Sequence, residues 1–94
     1  MVTVGMNYRV REGKDQVFEE GFRKVLGLME QMDGHTASRL YRDTSDPREY
    51  LIVSEWESED AFRRFIGSRE FSATTDWGSA EILEGRPRHR IYRQ

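Results

Sequence analysis

Residues 50–68, YLIVSEWESEDAFRRFIGS, constrain this chain more than any other stretch. Tyr50, Ile52, Ser54 and Trp56 alternate with Leu51, Val53 and Glu55, which is the period of a strand. Both sets are largely apolar, and a strand with two apolar faces needs cover on both. Ser58 then offers a helix N-cap, with Glu59 and Asp60 in the turn that the helix dipole favours for acids. Ala61, Phe62, Phe65 and Ile66 follow as one helical stripe, and Gly67-Ser68 interrupts it. A buried strand that turns through a polar corner into an amphipathic helix predicts a sheet with a helical layer packed on it.

The remaining segments supply the other parts. Residues 2–11 alternate, with Val2, Val4, Met6, Tyr8 and Val10 on one side and Thr3, Gly5, Asn7 and Arg9 on the other. Residues 12–14 read as a turn. From Asp15 to about Met32 a helix is predicted, because Phe18, Phe22, Val25, Met29 and Met32 recur at steps of four and three. Asp33-Gly34 should close it, with glycine at the position that tolerates left-handed backbone. Residues 35–43 predict a second strand, and Asp46-Pro47 predicts a tight turn into the third, making a hairpin. Residues 69–78 read as a further short helix, capped by Ser68 and anchored by Phe71 and Trp77. Ile82 and Leu83 should tuck under, and residues 86–92 form a last strand.

The order is β-α-β-β-α-(α)-β. This predicts an α+β, ferredoxin-like β-α-β-β-α-β fold with an antiparallel four-stranded sheet and helices on one face. The two-sided third strand and the Val2, Met6 and Tyr8 row suggest that the opposite face is apolar as well. A bare apolar sheet face calls for a partner, and a homodimer through it is expected.

Composition narrows the function classes. The 94 residues fit one small domain and contain no cysteine, so disulfides and thiolate metal sites are out of reach. That usage fits a cytoplasmic protein. The N-terminus lacks a signal pattern, and no apolar run approaches membrane length. Charged residues make up 34% but are interspersed, with a net charge of −2, and the arginines of residues 86–93 sit in a mildly acidic chain. Neither a nucleic-acid nor a membrane partner is expected.

Three runs carry a family resemblance: EGK from Glu12, VFEEGF from Val17, and YLIVSEWES from Tyr50 followed by Ala61-Phe62. Together they resemble the antibiotic biosynthesis monooxygenase family, whose members are dimeric α+β barrels. The resemblance spans nearly the whole chain. It implies a superfamily that includes cofactor-free oxygenases of polycyclic aromatics, haem-degrading monooxygenases and members with no known reaction. The haem-degrading branch uses an asparagine on the first strand, a tryptophan on the helix after the third strand and a histidine beyond it. Those positions fall here at Asn7, Phe65 and Thr75, so the asparagine is matched and the iron-ligating histidine is replaced.

The candidate catalytic residues are therefore Asn7 and His89. Asn7 is a mid-strand amide suited to orienting a substrate carbonyl or oxygen. His89 lies on a strand expected beside the first, as a base toward a phenol or anthrone-type carbon acid, or as a haem ligand. Phe22, Phe65 and Trp77 are the expected walls of a pocket between sheet and helices for a small apolar or aromatic ligand. Tyr41 and Tyr50 could supply a phenol donor. His35, after the helix end, reads as structural, and Trp56 as core. No metal site is expected and no cofactor, with haem as the alternative. The expected activity is a cofactor-independent oxygenase, against a tetrapyrrole binder or a non-catalytic binding dimer.

Overall fold

The computed structural model describes residues 1–69, 71–72, 82–84 and 88–93. Six elements run in the expected order: β1 (Val2–Arg9), α1 (Asp15–Glu30), β2 (His35–Arg42), β3 (Glu49–Trp56), α2 (Glu59–Ile66) and β4 (Arg88–Arg93). The four strands form one antiparallel sheet in the order β2-β3-β1-β4, which is the ferredoxin-like arrangement. Trp77 and Thr75 lie outside the described residues.

The connections follow local chemistry. In the hairpin between β2 and β3 the Glu49 N–H donates to the Asp46 carbonyl at 3.0 Å, with Pro47 in the second position of the turn. The Asp46 side chain also accepts from the Arg48 N–H. Ser58 caps α2, its Oγ accepting from the Ala61 N–H at 3.1 Å. The Ser68 Oγ accepts from the Phe71 N–H in the same way and opens the next helical turn.

Gly34 is required twice. Its φ is +90°, and a Cβ there would stand 2.5 Å from the Cβ of Ala61. The end of α1 thus passes directly under the start of α2. The Glu57 N–H, donating to the Gly34 carbonyl at 2.7 Å, fixes that approach.

Both helices lie on the same face of the sheet. Val4, Met6, Tyr8, Tyr50, Ile52 and Trp56 point into that layer and are buried, joined by Met29, Phe62 and Phe65 from the helices. Burying each phenylalanine contributes roughly 1.5–3 kcal/mol before entropy. Ile82 and Leu83 tuck beneath the end of the sheet, where Leu83 bridges Val10.

One expectation is corrected here. The Val2, Met6 and Tyr8 row is not on the open face. Register places Val4 opposite Ser54 and Met6 opposite Ile52, in the row that the helices cover. The open face carries Thr3, Gly5, Asn7 and Arg9 beside Leu51, Val53 and Glu55, so its apolar content rests on Leu51 and Val53, both half-buried.

Candidate functional site

The outer flank of α1 stops short of the sheet along β2. Glu19, Phe22, Arg23 and Leu26 fall on one helical stripe, beside the stripe that enters the core. Leu40 of the edge strand, in the covered row with Ile52, faces them; its neighbours Arg39 and Tyr41 line the groove from the edge strand but belong to the open-face row with Val53 and Leu51, and an open groove of about 450 Å³ lies between the two elements. Phe22, Leu26 and Leu40 supply its apolar part, with the Glu19 carboxyl and the Arg23 guanidinium on the helix side. That size and mixture suit a small organic ligand.

Glu19 is held from below. The buried Tyr50 hydroxyl donates to Glu19 Oε2 at 2.6 Å. The Tyr50 ring is fixed against Phe18, with centroids 4.8 Å apart, and Phe18 in turn packs on Tyr8. Burial, then the bond to Glu19, push the Tyr50 phenol up to about 12, so it remains a donor through the neutral range. Arg42, paired with Tyr50 across the ladder, stands 4.0 Å from Asp15. Glu19 Oε1 has no partner among the described residues. Chemically, the arrangement is an oriented carboxyl at the wall of an apolar groove, with one oxygen engaged and one available.

A second polar feature runs into the core. The Trp56 indole N–H donates to Ser54 Oγ at 2.7 Å; Ser54 and Ser38 share a 2.6 Å hydrogen bond; Ser38 lies 2.9 Å from His35 Nε2. Met29 Sδ accepts from the Ser38 hydroxyl at 3.4 Å. A β-bulge makes this chain possible. His35 pairs with Trp56 and Ala37 with Glu55, so Thr36 is the extra residue and His35 enters the covered row. Burial holds the His35 imidazole below its usual range, against the opposing pull of Glu30. Every buried side-chain polar atom among the described residues has a partner.

Of the sequence-predicted site residues, Phe22, Phe65 and Asn7 fall at three different places. Phe22 lines the groove. Phe65 is fully buried between Trp56 and Phe71, at centroid distances of 5.4 and 4.9 Å, and packs the core. Asn7 is exposed on the open face and pairs with Leu51 and Arg88. His89 pairs with Met6, one row away. Sequence reasoning missed the Glu19–Tyr50 pair, since it joins residues 31 positions apart through the tilt of α1 on β3. The only signal for it was an acid one turn from an apolar stripe. No group of three His, Cys, Asp or Glu side chains suited to a metal ion occurs among the described residues. No described helix is long and apolar enough to cross a membrane.

The sequence profile of antibiotic biosynthesis monooxygenases matches residues 1–77, covering both helices and three of the four strands. The chain belongs to the antibiotic biosynthesis monooxygenase family. It is 39% identical over 87 residues to the "Putative heme-binding protein" of Haloarcula marismortui; that match covers 93% of this chain but only 13% of the relative's length. It is 32% identical over 72 residues to the uncharacterized YczJ of Bacillus subtilis, covering 76% of each chain. Among solved structures it matches SnoaB, a cofactor-independent oxygenase from Streptomyces nogalater, with a TM-score of 0.87. That likeness covers 99% of this chain and 91% of SnoaB at 22% identity, so it speaks for the fold.

Proposed function

We propose that this family member binds an aromatic compound with an acidic C–H, of the anthrone type, in the groove between α1 and β2, and oxygenates it without a cofactor. The observation that carries the reading is the Glu19–Tyr50 pair in the groove wall. Glu19 takes the C–H proton on its available oxygen while the Tyr50 hydroxyl holds the other in place. The resulting carbanion reduces oxygen and combines with it as a hydroperoxide, which loses water. For a CH2 centre, one oxygen atom ends in the carbonyl and the other in water. The two C–H bonds supply all four electrons, so no outside reductant is needed. The reaction class is that of SnoaB, which has the same fold.

The test is oxygen uptake on an anthrone. Glu19→Gln should lower kcat by about 100-fold or more while the protein stays folded. No uptake by the unaltered protein, or full activity in Glu19→Gln, sinks the reading.

A homodimer through the open face is part of the same proposal. Leu51 and Val53 are its apolar centre, with Asn7 beside them, where a covering copy would bury the exposed amide. A sedimentation mass of one chain at micromolar concentration would end the dimer reading.

Haem binding is the second reading, favoured by the name of the haloarchaeal relative. Of the two histidines, the one whose surroundings are described, His35, has its Nε2 against Ser38 and its ring edge-on to Trp56 at 5.0 Å, and so fits iron ligation poorly. A stoichiometric Soret shift that His89→Ala abolishes would establish haem and displace the oxygenase reading.

A further inference from the structure

The two halves of α1 are held unequally. Its C-terminal end is anchored: Met29 is fully buried, and the chain beyond it passes under Ala61 at Gly34, whose carbonyl accepts from the Glu57 N–H at 2.7 Å. The N-terminal end has less to hold it. Lys14 stands at the N-cap with no side-chain hydrogen bond, where α2 has the Ser58 cap. Val17 is exposed, and Phe18 is half-buried, seated between the Tyr8 and Tyr50 rings. Among the described residues, the side-chain polar ties of this end are the bond from Tyr50 to Glu19 and the 4.0 Å approach of Arg42 to Asp15, a pair of half-exposed side chains. Glycine brackets the same stretch. Gly13 has a φ of +80°, Gly21 lies inside the helix, and a Cβ at either would meet nothing within 4 Å among the described residues. Packing therefore does not require Gly21, and glycine inside a helix weakens it.

We infer that residues 14–20 form a lid over the Tyr8 and Tyr50 rings, hinged at Gly13 and Gly21 and latched by Glu19 on Tyr50. When the lid is closed, Phe18 fills the space between the two rings. Lifting it withdraws Phe18 and Glu19 together and extends the groove along α1 to the buried tyrosines. Met29 and Gly34 hold the second half of the helix in place, so the motion is an opening from one end. The lid belongs to the unliganded chain and does not depend on the oxygenase reading.

Native-state hydrogen exchange of the whole chain tests it. The readout is the protection factor of the amides of residues 18–22, whose helical bonds the lid breaks, against those of residues 28–30 in the anchored half. The first set should be at least about tenfold less protected than the second. Two alanine substitutions, both at positions with open space, then locate the hinge. Gly21→Ala should raise the protection of residues 18–22 about fourfold, from the helix preference of alanine over glycine. Gly27→Ala lies beyond the hinge and should leave residues 18–22 unchanged while raising 28–30. Tyr50→Phe should lower the protection of residues 18–22 about tenfold through loss of the latch. Equal protection of the two sets, an effect of Gly27→Ala on residues 18–22 as large as that of Gly21→Ala, or no change in Tyr50→Phe overturns the lid. Turnover is read separately. A lid without oxygen uptake ends only the oxygenase proposal, and uptake with a uniformly protected α1 ends only the lid.

Discussion

The two helices of this protein carry the same kind of apolar stripe and meet different fates. α2 is eight residues long and sits over Trp56, and its Ala61, Phe62 and Phe65 are all buried. α1 is sixteen residues long, and of its stripe Met29 alone is buried; Phe18, Phe22, Val25, Leu26 and Leu28 pack only in part. The cause is position in the sheet. α1 runs out along the edge strand β2, where no further strand lies beneath its outer flank among the described elements. The closed end spends its aromatic side chains on packing. The half-covered end leaves Phe22 and Leu26 facing a groove, with polar groups along its rim. Within one small layer, the better-packed aromatic cluster is therefore the poorer candidate for a ligand site.

Five substitutions bear on this contrast. Phe65→Ala should have the largest effect, destabilising the fold by about 3–5 kcal/mol in urea unfolding while oxygen uptake on an anthrone is retained. Loss of uptake in a folded Phe65→Ala protein would mean that the closed end is a ligand site after all. Gly34→Ala is next, at roughly 2–3 kcal/mol, because it combines a positive φ with a clash against Ala61. A neutral result in thermal melts would show that the α1–α2 crossing is looser than described.

Alkaline titration probes the groove end. Burial pushes both Tyr8 and Tyr50 up to about 12, against an ordinary value near 10. Between these values the unfolded chain releases protons that the folded chain retains, so stability is complete below pH 10 and falls as pH rises toward 12. The expected loss is of the order of 1–2 kcal/mol per tyrosine by the upper half of that window. Tyr50→Phe should flatten part of the slope of the urea midpoint against pH; an unchanged slope would mean that Tyr50 is not held as described.

The smallest effect belongs to the serine chain. Ser38→Ala should cost about 1 kcal/mol at neutral pH. The His35 pKa is depressed in the fold, so its contribution is present above the ordinary histidine value and is lost as pH falls below it. His35→Gln should remove that share of the acid-side decline in thermal midpoint, and an identical decline would assign it to other groups.

Much of the architecture was legible in the chain because it depends on local periodicity. Helix and strand order, the Ser58 cap, the Asp46-Pro47 turn and the left-handed Gly34 each follow from residues within a few positions of one another. The buried fate of Ile82 and Leu83 was legible too, from their apolar character in a polar link. The family was readable on the same ground, since its shared runs are the same local signals. The candidate site was less accessible. Phe22 reached the groove, but Phe65 is core, and Asn7 lies on the open face.

By itself the sequence determined the elements, their order and the handedness of the turns, since these depend on steric and hydrogen-bonding preferences of neighbours. Tertiary structure alone decided which face of β1 lies under the helices, since alternation defines two faces without saying which is covered. It placed His35 instead of Thr36 beside Trp56, through a bulge that depends on the pairing of two strands. It also brought Glu19 to Tyr50, because the seating of α1 on the sheet is a matter of packing angle, which no local pattern encodes.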